Sequence, residues 1–356
     1  MTTPWPDPLA LLHEQLETAE KLVGGVRTVA AAGQDASAPD EAPKEEIYAD
    51  GKMRLLHYLP TVERPATPPV LIVYAIFNRY YMIDLEPDRS VVRRLLDEGL
   101  DLSVIDWGYP DRSDRWLTLD DYVNGYIADC VDVLCERHSV EQVNVVGICQ
   151  GGTAALAYAA LHPERVQNLV TMVSPVDFHV DGAVLNSWTR AIDADALVDA
   201  LGTVPGELIG LGFMARSPFQ RQLKKYLDVI DIVDDEEKLR SFLRMERWIF
   251  DTPDVPGEAF RQWVKDFYQG NKLVKGEVEL GGRRVDLGRL TMPILNVYAE
   301  RDDLVPPPSA TALERCVGSD DYTGRSFPVG HVGMYVSSRM QREVPPTLAG
   351  WLLERG

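Results

Sequence analysis

Gly147-Ile148-Cys149-Gln150-Gly151-Gly152 places a thiol at the apex of a G-x-nucleophile-x-G pattern. An apolar run, Val143 to Val146, leads in, and a small-residue helical run, Thr153 to Leu161, leads out. This strand, sharp turn and helix push the apex side chain clear of the sheet, while the glycines let strand and helix approach closely. A thiol becomes a strong nucleophile only beside a base, and the base needs a group to orient it. Of the 6 histidines, His13, His57, His138 and His162 lie in or beside helices and an early hairpin. His179 opens a long irregular stretch. Only His331 lies in a glycine-flanked loop, Gly330-His331-Val332-Gly333, after the last strand, so it is the expected base. Glu300, Asp302 and Asp303 share the loop after the preceding strand, and the Asp-x-Leu-Val-Pro pattern favours Asp302 as the orienting acid.

Those residues need a scaffold that brings three loops to one sheet edge. Short apolar segments at Val70–Phe77, Leu102–Asp106, Val143–Val146, Leu169–Val173, Ile294–Tyr298 and Tyr322–Phe327 read as buried strands. Helical periodicity over Arg89–Glu98, Leu119–Arg137, Thr153–Leu161, Pro308–Cys316 and Gln341–Leu353 alternates with them. A hairpin turning at Asp50-Gly51 precedes the series. This alternation predicts a mostly parallel sheet with helices on both faces, and the order nucleophile, acid, histidine is that of the α/β-hydrolase fold. Between Pro175 and Met292 the rhythm stops for a stretch too long for a loop, which reads as an inserted helical cap. The expected organisation is an N-terminal helix and linker (1–44), a first core part (45–175), a cap (176–291) and a second core part (292–356).

In this scheme the oxyanion donors are backbone N–H groups, one on Gln150 and one on the loop after the first core strand, near Ile76 or Phe77. Arg79 in that loop is placed either to bind a substrate phosphate or to pair with Asp84.

A net charge of −19 argues against nucleic acid and anionic membranes as partners. No apolar run approaches the ~18 residues of a membrane span, and no leader-type segment opens the sequence, so a cytoplasmic place is expected. The 4 cysteines are too scattered for a disulfide framework, and no cluster of zinc-ligand spacing occurs, so no metal is expected.

The apex residue also bears on the reaction. Attack by a thiol on an acyl-CoA thioester makes another thioester, so the acyl group stays activated. A hydroxyl group then takes it downhill to an oxygen ester, which favours acyl transfer over hydrolysis. The alternative is a cysteine-elbow hydrolase that cleaves a thioester or lactone.

The chain resembles the catalytic subunit of the two-subunit, class III polyhydroxyalkanoate synthases. The resemblance is carried by Gly147–Gly152, by Asp106-Trp107-Gly108 within Ser103–Pro110, and by Thr118–Tyr126 (TLDDYVNGY). It extends through Asn168–Phe178 (NLVTMVSPVDF), Phe242–Asp251 (FLRMERWIFD), Asp302–Pro306 and Gly330–Gly333, from the first core strand toward the last helix. It implies Cys149 as acylated nucleophile, His331 as base and Asp302 as third member. It also implies a short-chain (R)-3-hydroxyacyl-CoA substrate, with 3-hydroxybutyryl-CoA first among them, and a polyester product held in cytoplasmic granules. Coenzyme A enters as part of the substrate and leaves as a product, with no separate cofactor. A non-catalytic second subunit of the PhaE type, and a homodimer, are further expectations. Where the family pattern has a histidine after the acid, this chain has Asp303.

Overall fold

The computed structural model describes residues 38–356 apart from 64, 182–183, 216–228, 230–231 and 233–234. The expected N-terminal helix lies outside the described residues. The chain forms two compact units, one of residues 1–39 with 211–250 and one of 40–210 with 251–356. The stretch expected as a single cap is therefore shared between them.

The larger unit is built on an 8-stranded sheet. Its strands are β1 (Lys44–Asp50), β2 (Met53–Tyr58), β3 (Ala66–Val73), β4 (Leu100–Asp106), β5 (Val143–Ile148), β6 (Val166–Met172), β7 (Ile294–Ala299) and β8 (Tyr322–Phe327). They lie in the order β1-β2-β4-β3-β5-β6-β7-β8. The β1–β2 and β2–β4 pairs are antiparallel and the others parallel. β4, β5 and nearly all of β6 are buried along their length, as strands covered on both faces must be. Helix α1 (Val91–Asp97) packs with the C-terminal helix Met340–Leu353, while α2 (Ala128–His138) and α3 (Gln150–Leu161) pack on β3 and β5. α3 is apolar all round and almost wholly buried, which suits the helix that follows the elbow.

Four elements differ from the sequence expectation. Tyr322–Phe327, expected as a buried strand, is the edge strand β8 and is exposed over much of its length. The apolar run Val70–Phe77 is not all strand: β3 ends at Val73, and Tyr74–Phe77 forms a buried loop above the sheet. The expected helix over Leu119–Arg137 starts as a π-helix, Asp121–Ile127, before α2. A second π-helix, Trp263–Gln269, continues the α-helix Gly257–Gln262. A one-residue widening of a helical turn leaves the apolar spacing nearly intact, so periodicity does not reveal it.

In the smaller unit the amphipathic helix Glu236–Phe250 carries Arg244, whose Nε donates to the Ala38 carbonyl at 3.0 Å.

Two histidines at helix ends set an expected pH response. Burial, the largest influence on each, pushes the pKa of His138 and of His162 down; Asp101 opposes it at His138, and Arg283 adds to it at His162. A depressed histidine pKa gives stability that is whole above the unfolded value of about 6.5 and is lost as pH falls below it. The contribution of these two histidines to the melting temperature should therefore fall as pH is lowered from about 7 to about 5.5, so His162→Gln should lose less stability than the wild-type protein over that range. A slope unchanged in the variant would remove His162 as a cause.

Candidate active site

The site is assembled at the carboxyl ends of β3, β5, β7 and β8. Cys149 joins β5 to α3 with φ 54° and ψ −125°, a strained conformation for a non-glycine residue. Strain of this kind costs roughly 1–3 kcal/mol and persists only where the surroundings impose it. Here the Cys149 N–H donates to the Met172 carbonyl at 2.9 Å, and the Cys149 carbonyl accepts from Gly152 N–H at 3.0 Å. A Cβ on Gly151 would lie 2.1 Å from the Val73 carbonyl oxygen and 2.3 Å from that of Tyr74. Only glycine lets α3 start this close to β3. Gly151→Ala should lower stability by roughly 1–3 kcal/mol or more and displace the elbow, which a thermal melt and Cys149 alkylation kinetics would register.

His331 follows β8 and Asp302 follows β7, and the fold brings both carboxylate and imidazole to Cys149. His331 Nδ1 is 2.7 Å from Asp302 Oδ2. The other carboxylate oxygen, Oδ1, accepts from the N–H groups of Leu304 and Val305, each at 2.9 Å. Asp302 is 5 % and His331 8 % exposed, so the pair is held away from solvent. Cys149 and Asp302 are the two groups that favour the charged form of His331. Burial disfavours the imidazolium, but the Cys149 sulfur and Asp302 outweigh it and push the His331 pKa up to about 10. This upward shift gives stability that is whole below about pH 6.5 and is lost as pH rises through the folded value of about 10.

The competing acids and bases have other partners. Glu300 accepts from Ser326 Oγ at 2.9 Å on the outside of β8, and Asp303 is exposed. His57 pairs with Asp101 at 2.9 Å, His162 with Asn124 Oδ1 at 2.8 Å, and His179 with the Tyr268 carbonyl at 2.9 Å. His13 lies outside the described residues. Cys149 is half-buried, whereas Cys130 and Cys135 are fully buried. Burial pushes the thiols of Cys130, Cys135 and Cys316 up, which keeps them protonated and unreactive.

Gln150 begins α3, so its N–H belongs to the unpaired first turn of the helix. The loop Tyr74–Asn78 runs past it, with Ile76 and Phe77 both buried. The Phe77 N–H donates to Gln150 Oε1 at 3.4 Å, which ties this loop to the start of α3. Arg79 turns the other way. It makes a buried ion pair with Asp106, Nη1 to Oδ1 at 2.7 Å, and donates to the Gly108 carbonyl at 2.8 Å. The expected Asp84 partner is instead bound to Ser90 Oγ at 2.6 Å and to the Ala42 N–H at 2.7 Å. Asp84 lies beyond a 3₁₀ turn, whereas Asp106 ends the strand next to β3, so topology rather than sequence proximity selects the partner.

Three tyrosines not anticipated from the sequence stand around the thiol. The titration of Tyr74, Tyr268 and Tyr335 is raised, first by burial and then by neighbouring charges that include Cys149. The Tyr335 ring lies edge-on to His331 at 6.1 Å and to Tyr74 at 6.3 Å. Only the four-residue spacing from His331 could have pointed to Tyr335. Tyr268 comes from the second π-helix, whose Trp263 packs edge-on against Phe77 at 5.7 Å. Among the described residues no group of three or more His, Cys, Asp or Glu side chains is placed to hold a metal ion. Nor is any helix there long and apolar enough to cross a membrane.

The chain is similar to known proteins over nearly all of its length. Residues 68–336 match the family model described as alpha/beta hydrolase fold, and residues 40–95 match that of the poly-beta-hydroxybutyrate polymerase (PhaC) N-terminus. The chain is 52% identical over 355 residues to the poly(3-hydroxyalkanoate) polymerase subunit PhaC of Synechocystis sp., covering 97% of this chain and 93% of that one. It is 49% identical to the subunit of the same name from Thiocystis violacea, covering 98% of each. It is 41% identical to the one from Haloferax mediterranei, over 99% of this chain and 73% of that one. Among solved structures it superposes on the Est1E protein of Butyrivibrio proteoclasticus, determined with ferulic acid bound, with a TM-score of 0.53 and 16% identity over 87% of this chain and 98% of that one. That likeness is one of fold.

Proposed function

Because the chain belongs to the poly(3-hydroxyalkanoate) polymerases of the PhaC subunit type, we propose that Cys149, His331 and Asp302 are the groups that carry its acyl transfer. It is an acyltransferase that builds polyhydroxyalkanoate from hydroxyacyl-CoA thioesters with release of coenzyme A. The observation that carries the assignment is the convergence of a strained half-buried thiol and a buried, carboxylate-bound imidazole on one sheet edge.

The His331 imidazole holds a proton well above neutral pH while the Cys149 sulfur is beside it. In the first step the sulfur attacks the thioester carbonyl carbon. The developing oxyanion is met by the Gln150 N–H and a loop N–H at Ile76 or Phe77. The C–S bond to coenzyme A breaks, and the leaving thiolate takes the His331 proton. Once Cys149 is acylated, the sulfur no longer supports the imidazolium. The neutral imidazole then accepts a proton from the 3-hydroxyl group of a second hydroxyacyl unit. That oxygen attacks the acyl-Cys149 carbonyl, an ester forms, and the sulfur is released as thiolate. Asp302 keeps Nδ1 protonated and Nε2 toward the sulfur throughout. No step calls for a metal or another cofactor.

The preferred substrate in this reading is 3-hydroxybutyryl-CoA of R configuration, and the protein works in the cytoplasm at the polyester granule, paired with a PhaE-type subunit and with a second copy of itself. Trp116 and Trp188, 65% and 44% exposed, are apolar surface that such partners would cover. The test is to follow coenzyme A release together with insoluble polymer from 3-hydroxybutyryl-CoA, with the second subunit present. Polymer in proportion to released coenzyme A is expected; release with free 3-hydroxybutyrate and no polymer would point to a hydrolase instead.

A further inference from the structure

The turn that follows β4, Asp106-Trp107-Gly108, touches neither the thiol nor its base, yet it grips the oxyanion loop at both ends. At the loop's start, Trp107 Nε1 donates to the Tyr74 carbonyl at 3.1 Å. At its end, the Arg79 guanidinium is bound by Asp106 and by the Gly108 carbonyl. Gly108 turns through φ 71°, and its N–H donates back to Asp106 Oδ1 at 3.0 Å, which fixes the carboxylate that receives Arg79. The Tyr109 ring covers the guanidinium, 4.1 Å from ring centroid to Cζ. Its hydroxyl donates to Asp251, as does that of Tyr81, at 2.9 and 2.7 Å. Arg79 and Asp106 are 7 % and 8 % exposed, so the pair is largely out of water. Between the two grips lie Ile76 and Phe77, and the Phe77 N–H donates to the Gln150 side chain at the elbow.

We propose that Arg79 is a positioning residue for acyl transfer, and that the Asp106-Trp107-Gly108 turn, acting through Arg79 and the Tyr74 carbonyl, holds the oxyanion donors in place. This rests on the oxyanion role given to that loop above. A loop whose donors must meet a charge that exists only in the transition state has to be held before the reaction starts, and the loop N–H groups have no ladder partner to hold them. Arginine is required because its planar fork binds the carboxylate and the carbonyl at once and stacks under the tyrosine. Lysine, a single point charge, cannot do all three.

The test is Arg79→Lys, studied with three reactions of Cys149: acyl transfer from 3-hydroxybutyryl-CoA, acyl transfer from the N-acetylcysteamine thioester of the same acid, and alkylation by iodoacetamide. Alkylation passes through no oxyanion, and the truncated thioester has no phosphate. A shift of the donors by about 1 Å should slow acylation by roughly 10- to 100-fold, equally for both thioesters, with alkylation unchanged. A fall confined to the coenzyme A thioester would overturn the proposal, because Arg79 would then be meeting a substrate phosphate. Unchanged acylation from both donors would overturn it as well. Should Arg79→Lys not fold, Asp106→Asn weakens the same grip isosterically and carries the same expectations. Failure of the underlying functional reading would show separately, as thiol release by the wild-type protein with no acyl group on Cys149.

Discussion

Cys149→Ala is expected to eliminate acyl labelling, coenzyme A release and polymer formation together, with a fall of about 10⁴-fold or more. The size follows from the chemistry. Every acyl group passes through the sulfur. The other cysteines do not substitute, since burial holds the thiols of Cys130, Cys135 and Cys316 protonated. The fold should survive, because a half-buried side chain in a strained turn is replaced by a smaller one. Cys149→Ser provides a sharper version. It keeps the elbow geometry but replaces the thioester by an oxygen ester, which has lost the activation needed for the second transfer. Polymer should disappear while slow first-turnover release of coenzyme A persists. Both are read by acylation with radiolabelled 3-hydroxybutyryl-CoA followed by gel and polymer assays; labelling that survives in the alanine variant would remove Cys149 as nucleophile.

Asp302→Asn is expected to lower polymerisation by about 10³- to 10⁴-fold with little change in shape. The asparagine can still accept from the Leu304 and Val305 N–H groups through one oxygen, as Asp302 Oδ1 does. The atom facing His331 Nδ1 then has no charge, and if it is the amide nitrogen the imidazole is turned into the wrong tautomer. The support for the imidazolium also falls, so the protonated form should no longer persist toward pH 10. The pH dependence of Cys149 alkylation separates these effects from unfolding. In the wild-type protein the histidine's titration, seen by NMR of its ring protons, should lie well above that of an ordinary imidazole. In the variant it should move down. An unmoved titration would mean that Asp302 does not support the charge. His331→Gln should cost at least as much, because it removes both the acid for the leaving thiolate and the base for the attacking hydroxyl.

The thiol, the imidazole and the acid could be read from the sequence because each carries a local mark. The elbow needs glycines at fixed offsets, and the Gly151 contact with the β3 carbonyls shows why. His331 and Asp302 stand in loops after consecutive parallel strands, an arrangement that β7 and β8 reproduce residue by residue. The alternation of apolar segments and helices was equally plain, since a sheet buried on both faces leaves long apolar runs. What stayed hidden depends on which strand lies beside which. The run Val70–Phe77 is apolar throughout, because the loop half packs under Trp263 as tightly as the strand half packs in the sheet, so hydropathy does not mark where the ladder stops. Asp106 becomes the partner of Arg79 only because β4 is next to β3, and Asp84 was the nearer carboxylate along the chain. Tyr268 reaches the site from a π-helix, whose extra residue per turn rotates later side chains without disturbing the apolar count.

The most direct measurement is a rapid acid quench of the wild-type protein mixed with 3-hydroxybutyryl-CoA, followed by proteolysis and mass analysis of the peptide that spans Gly147–Gly152. The sulfur of Cys149 should carry one or more whole 3-hydroxybutyryl units, formed as fast as coenzyme A is released. Coenzyme A released at full rate with that peptide unmodified, or with the acyl group on another residue, would contradict transfer through Cys149.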